Sequence, residues 1–215
     1  MSMQMSCNEN GLREEIIKYG RMVWERGYSP GYSGNISARI DGEEKFIITT
    51  SGSSNGFLTQ NELVLTDFEG KSLEENKKPS SEKNLHIAFY KKRPDISYIL
   101  HVHSPYLSSF ASAKKQMARE VMAENIFYLD RIPLAKYAMP SSFELVKNTE
   151  IYFDKYDVVL MANHGVVVGS NTIQDAFLKL ELAESYAQVV INTEILGGAR
   201  LLNKKDVRDI LNLRK

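Results

Sequence analysis

From Leu12 to Trp24 the apolar side chains Leu12, Ile16, Ile17, Tyr19, Val23 and Trp24 recur at the three-to-four-residue spacing of an amphipathic helix, which Gly27 and Pro30 end. The pattern then shortens. "NISARI" and "EKFIITT" flank Asp41-Gly42, a dipeptide that favours a two-strand hairpin, and "LVLTDFEGK" reads as a further strand and turn. Helical spacing returns in "SSEKNLHIAFYKK", where a serine cap precedes Leu85, Ile87, Ala88 and Phe89 and the run stops before Pro94. "ISYILHVH" and "VVLMANHGVVVG" read as β-rich, whereas "TIQDAFLKLELAESYAQVVINTEIL" is helical, opening on Thr172 and Asp175 and closing on Gly197-Gly198. Strands grouped in the middle with helices at both ends predict an α/β sandwich. The hairpin signals predict a mostly antiparallel or mixed sheet rather than a doubly wound one.

A chain of 215 residues fits one domain, and no repeat, low-complexity tract or Pro/Gly/Ser-rich linker divides it. The expected organisation is a single domain over 1–215, with a core over 12–196 and a helical tail over 197–215. Lysine and arginine total 27, and so do aspartate and glutamate; no net charge attracts a polyanion, and nucleic acid is not an expected partner. The single cysteine, Cys7, leaves no disulfide framework and no CxxC motif, which points to a reducing, cytoplasmic setting. The opening "MSMQMSCNEN" has neither a basic nor an apolar leader-like region. No apolar run approaches the roughly 18 residues of a transmembrane helix, so no membrane partner is expected.

Of four histidines, His101 and His103 stand one residue apart in the apolar run "YILHVHSPY". Alternate side chains of a strand share a face, so these two face one way while Leu100 and Val102 face the other. Two imidazoles so placed can chelate one metal; equally, one can be a hydrogen-bonded core histidine and the other a loop residue. His164 tips the balance, because Asn163-His164-Gly165 interrupts two apolar runs at a point where a polar side chain faces a cleft. Three neutral imidazoles leave a fourth position for water or substrate, as a catalytic metal site requires. Zinc is the first choice, and other divalent first-row metals are compatible. His86, four residues after Glu82 on the same helical face, is read as structural.

Glu82 is expected in the first turn of its helix behind Ser80-Ser81, where unpaired N–H groups and the helix dipole favour an anion. Ser-Ser-Glu at a helix start is also ordinary capping chemistry. "YSGNIS" adds Gly34 and Asn35, and "TTSGSS" adds Thr50, Ser51 and Gly52. Together with the serine pair they bring small residues and hydroxyls that let backbone amides approach an oxyanion such as phosphate.

Taken in order, "SGNIS", "TTSG", "PSSEKNLH", "HVHSPY" and "ANHGVVVG" resemble the class II aldolase/adducin family, and within it the sugar-phosphate aldolases of the fuculose-1-phosphate type. The resemblance covers Leu12 to Leu196 and implies a three-layer α/β/α fold, usually as a homotetramer with active sites at subunit interfaces. It implies that His101, His103 and His164 bind a divalent metal, usually zinc, with Glu82 as catalytic acid/base and as a ligand when substrate is absent. Asn35, Ser51, Gly52, Ser80 and Ser81 are implied to hold the phosphate. The fuculose-phosphate enzyme takes two tyrosines from a neighbouring subunit; the first falls here on Met122, and nothing after Tyr186 is a tyrosine. Tyr128 or Asp130 in "FYLDRIP" then stands in, and an acidic residue before Ile-Pro is similar to the family's L-ribulose-5-phosphate 4-epimerase.

The expected reaction is cleavage of a ketose 1-phosphate to dihydroxyacetone phosphate and a small aldehyde. Glu82 transfers the proton beside the carbonyl, and Tyr128 is the second proton donor. Epimerisation of a pentulose phosphate, or dehydration or decarboxylation through the same enolate chemistry, are the alternatives within the family. Its adducin branch is an interaction protein without enzymatic work, a reading that the intact histidines and Glu82 oppose.

Overall fold

The computed structural model describes residues 9–214; Cys7 lies outside the described residues. Seven strands, β1 (Asn35–Arg39), β2 (Lys45–Thr49), β3 (Leu63–Asp67), β4 (Tyr98–Val102), β5 (Leu134–Ala135), β6 (Val158–Met161) and β7 (Gly165–Ser170), form one sheet. Their spatial order is β3-β2-β1-β4-β7-β6-β5. Asp41-Gly42 turns β1 into β2, with Gly42 at φ +71, and Ser37 faces Ile48 across the hairpin. Every pairing is antiparallel except β5 with β6, so the sheet is mixed.

Helices cover both faces. On one, α1 (Glu9–Glu25), α3 (Pro105–Ala113) and α6 (Ile173–Ile195) bring Ile16, Val23, Phe110 and Leu180 into the same apolar cluster as Leu100, Val102 and Val166. On the other, α2 (Lys83–Lys92) and α5 (Phe143–Glu150) bring Leu85, Phe89 and Leu145 against Ile48, Ile99 and Val167. The result is the three-layer α/β/α sandwich, and it explains why all five residues of β4 are buried: a central strand covered on both faces has no solvent side. Each fully buried Leu or Ile contributes about 1.5–3 kcal/mol relative to exposure, so the sheet is a stiff platform for whatever its strand ends carry.

The helices are not confined to the two ends of the chain. Besides α2, the short α3, α4 (Ala123–Tyr128) and α5 are interleaved among the strands, and α7 (Lys204–Asn212) follows α6. They escape periodicity because six to nine residues complete barely two turns. Local chemistry marks them instead: Pro105 occupies the first position of α3, and the Ser142 hydroxyl accepts from Leu145 N to cap α5. The long α6 starts and stops as its sequence indicates, with Thr172 accepting from Asp175 N and Gly197 and Gly198 at φ +97 and +98. No described helix is long and apolar enough to cross a membrane.

Candidate active site

Three chain segments meet where β4 ends. His101 lies on the α2 side of the sheet, directly opposite Asn35 on β1 and Val167 on β7, so the antiparallel register alone sets Asn35 beside it. One residue past the strand, His103 turns to the same side. Its amide donates to Tyr28 O at 3.1 Å. Buried Glu184 on α6 holds the turn that follows, accepting from Ser104 Oγ at 2.7 Å and from the amides of Tyr106 and Leu107 at 2.7 and 2.9 Å. A carboxylate on those N–H groups caps α3 and anchors the chain just beyond His103.

Two glycines permit the convergence. A Cβ on Gly34, at φ +78, would overlap the His101 carbonyl oxygen, and one on Gly165 would overlap the Val102 carbonyl and lie 2.6 Å from His103 Cδ2. Only glycine lets both turns close on β4. The second of them, the β6–β7 turn with Asn163 at φ +54, delivers His164.

The three imidazoles stand with ring centroids 4.8–5.0 Å apart. His101 Nδ1 donates to Val166 O at 2.9 Å, which fixes its tautomer and points the Nε2 lone pair at the other rings. His103 Nε2 lies 3.1 Å from it. Glu82 spans the group, with Oε2 3.1 Å from His101 Nε2 and Oε1 3.2 Å from His164 Nε2. Glu82 Oε1 and His164 Nδ1 are buried without a hydrogen bond. Buried polar atoms are normally paired, and an unpaired carboxylate oxygen facing imidazole nitrogens is a donor left open for a cation. Three ligand nitrogens within 4.8 Å, a carboxylate and no thiolate fit a divalent first-row cation with an open position.

Charge follows the same geometry. Burial pushes the Glu82 carboxyl up, but the His101 and His164 imidazoles outweigh it and hold it well below the usual carboxylate range. Burial pushes His101 down and the Glu82 carboxylate reverses that, raising it. His103 is pushed down to about 3 by burial and by the neighbouring rings. Neutral His103 and ionised Glu82 are the protonation states that a cation needs of its ligands.

Above the cluster opens a cleft of about 440 Å³ lined by Asn35, Ser51, Gly52, Ser80 and Ser81 together with Glu82. All five expected anion-binding residues are therefore brought together, in a cleft shared with His103 and His164. The groups they offer differ from expectation. The Ser51 and Ser80 amides are occupied, donating to Lys78 O at 2.9 Å and Thr49 O at 3.0 Å, so it is their hydroxyl hydrogens that remain for a ligand, Ser80 Oγ also accepting from Glu82 N at 3.3 Å. Glu82 is not inside the helix but immediately before it, at φ −96, ψ 10, and its side chain caps nothing because it faces the imidazoles. The Ser81 hydroxyl is 2.9 Å from that of Ser141, a residue at φ +65 that sequence reasoning passed over. Its signal was present: Pro-Ser-Ser occurs twice, at 79–81 and 140–142, and both copies line the cleft.

His86 and Tyr128 both stand outside the cluster. His86 is fully buried beneath the cleft, bonded to Ser37 and Asn35, and is not among the clustered ligand nitrogens. Tyr128, half-exposed at the end of α4, lines a separate groove with Leu178 and Glu181 of α6, so one chain does not bring it to its own histidines. Asp130 pairs with Arg119 at 2.8 Å.

Residues 14–191 match the family described as Class II Aldolase and Adducin N-terminal domain. The chain belongs to the class II aldolase/adducin family. Among its relatives, the 5-deoxy-D-ribulose 1-phosphate aldolase of Bacillus thuringiensis serovar kurstaki is 30% identical over 201 residues, 92% of each chain. The 3-oxo-tetronate 4-phosphate decarboxylase of Haemophilus influenzae is 31% identical over 206 residues, 93% of this chain and 96% of its own. A solved L-fuculose 1-phosphate aldolase superposes with a TM-score of 0.89 at 25% identity, covering 97% of this chain and 98% of its own. Within the class II aldolase/adducin family this chain is thus similar to lyases of more than one reaction type.

Proposed function

We propose that the protein is a divalent-metal-dependent aldolase that cleaves a ketose 1-phosphate to dihydroxyacetone phosphate and a short aldehyde. The observation that carries this reading is Glu82 held between His101 and His164 at the floor of a cleft of neutral donors. A cation bound by His101, His103 and His164, zinc being the first choice, supplies Lewis-acid stabilisation of the oxyanion charge. Ser51, Gly52, Ser80, Ser81 and the Asn35 amide hold the phosphate. In the condensation direction Glu82 leaves the imidazoles and removes a proton from the hydroxymethyl carbon of dihydroxyacetone phosphate. The resulting enediolate carbon attacks the aldehyde, and Tyr128 of a neighbouring subunit protonates the new alkoxide. Cleavage is the reverse.

Because Tyr128 lies away from its own chain's histidines, this assignment requires an oligomer, and we infer a homotetramer with shared sites. Sedimentation should find no active monomer; full activity at the 24.4 kDa mass of one chain would remove Tyr128 from the mechanism.

The decarboxylase relative supports a second reading by its chemistry. Loss of carbon dioxide from a 3-oxo-tetronate 4-phosphate leaves the same enediolate of dihydroxyacetone phosphate, so the same cluster and base serve both. A panel of short aldehydes offered with dihydroxyacetone phosphate tests the choice. Condensation with at least one of them, and far slower reaction with unphosphorylated dihydroxyacetone, is the expected outcome. No condensation, with carbon dioxide released from the 3-oxo acid, would make the protein a decarboxylase.

A further inference from the structure

A line of buried side chains runs under the cleft from Tyr90 on α2 to Glu82, and the mechanism above leaves most of it without a role. Ser37 Oγ lies 2.6 Å from Tyr90 OH and 2.6 Å from His86 Nδ1. His86 Nε2 lies 2.6 Å from Asn35 Oδ1, and Asn35 Nδ2 donates to Glu82 Oε2 at 3.0 Å. The direction of every bond follows from the last one. An ionised carboxylate only accepts, so Asn35 must turn its NH₂ group to Glu82 and its carbonyl to His86. His86 Nε2 then carries the ring proton. Burial keeps this imidazole neutral, leaving Nδ1 to accept from the Ser37 hydroxyl, while Tyr90 donates to Ser37 Oγ.

The orientation of one carboxamide thus serves two anions. As placed, the Asn35 NH₂ group has one hydrogen for Glu82 and a second for a phosphate in the cleft. Flipped, it would turn carbonyl lone pairs toward both. From the other side His86 Nε2 meets the Asn35 carbonyl at 2.6 Å, so the carboxamide is held at both its ends.

We propose that His86 is a positioning residue: oriented by Ser37 and Tyr90, it locks the Asn35 carboxamide so that one NH₂ group serves both the base and the phosphate. This rests on the reading of the cleft as a phosphate site and of Glu82 as the base. The test compares wild type, His86→Leu, His86→Gln, Asn35→Ala and the double variant His86→Leu/Asn35→Ala. Three quantities are measured: affinity for inorganic phosphate by calorimetry, melting temperature, and kcat and KM for condensation. A hydrogen bond to a charged group is the term at stake, so His86→Leu should weaken phosphate binding and lower kcat by about 10- to 100-fold each. His86→Gln should recover most of both, since its amide can donate to Asn35 and accept from Ser37 without titrating. In the Asn35→Ala background the His86→Leu change should add little to either.

Lowered melting temperature with phosphate affinity and kcat intact would make His86 merely structural and overturn the proposal. So would losses that simply add in the double variant. Should His86→Leu fail to fold, His86→Asn asks the same question, because its amide still faces Ser37 but is too short to reach Asn35. A wild-type protein that binds no inorganic phosphate would overturn the reading of the cleft itself, an outcome distinct from a wild type that binds it no better than His86→Leu.

Discussion

Replacing His103 with alanine should empty the metal centre and abolish turnover while leaving the fold in place. His103 supplies one of three clustered nitrogens, and two imidazoles cannot complete a site built for three. Its loss also disturbs the fold less than loss of His101 would. His101 is fully buried in the middle of the sheet, whereas His103 follows the last residue of β4 and remains partly exposed. Changes to residues that only support a ligand cost about 10- to 100-fold in metal affinity, so loss of the ligand itself should exceed that range. Elemental analysis of gently purified protein should find one divalent ion per wild-type chain and background levels in His103→Ala. A chelator should silence the wild type, and added divalent metal should restore it but not the variant. Full activity in a preparation with background metal would contradict the assignment.

Glu82→Gln should do the opposite, keeping the metal and losing the chemistry. Glutamine preserves length and shape and can still meet the Asn35 amide, but it has no carboxylate to accept a proton. General acid–base assistance is worth about 10²–10⁴-fold, and a kcat loss of that size is expected, with metal content and phosphate affinity largely retained. A kcat within a few-fold of wild type would show that some other group moves the proton. A large rise in KM with kcat unchanged would place Glu82 in substrate binding instead.

The parts of this account legible in the sequence are those set by local rules. The Asp41-Gly42 hairpin, the Thr172 cap and the Gly197-Gly198 stop depend on a few adjacent residues, and each folds as read. The shared face of His101 and His103 depends only on strand alternation, and it survives although β4 ends between them. What could not be read is what the crossovers decide. β4 inserts between β1 and β7, which sets Asn35 opposite His101 and brings the β6–β7 turn with His164 to the His101 ring.

Glu184 shows the limit from the other side. A glutamate in an amphipathic helix reads as solvent-facing, yet this one is buried and holds the turn after His103, a role visible only once α6 lies across the start of α3. Likewise Ser51 and Ser80 were legible as cleft residues, but not that the carbonyls of Lys78 and Thr49 take up their amides and leave their hydroxyl hydrogens. Short-range chemistry identified the participants; long-range topology determined which atom each one offers.

Hydrogen exchange on dihydroxyacetone phosphate, followed by proton NMR in deuterated water with no aldehyde present, tests the central claim most directly. Aldol cleavage and decarboxylation share the enediolate of this one compound, so its formation is independent of which substrate the protein takes. Metal-loaded wild type should replace one hydrogen of the hydroxymethyl carbon by deuterium, and Glu82→Gln should slow that replacement by about 10²–10⁴-fold. Exchange at the wild-type rate in Glu82→Gln would mean that Glu82 is not the base, and the mechanism would fail at its central step.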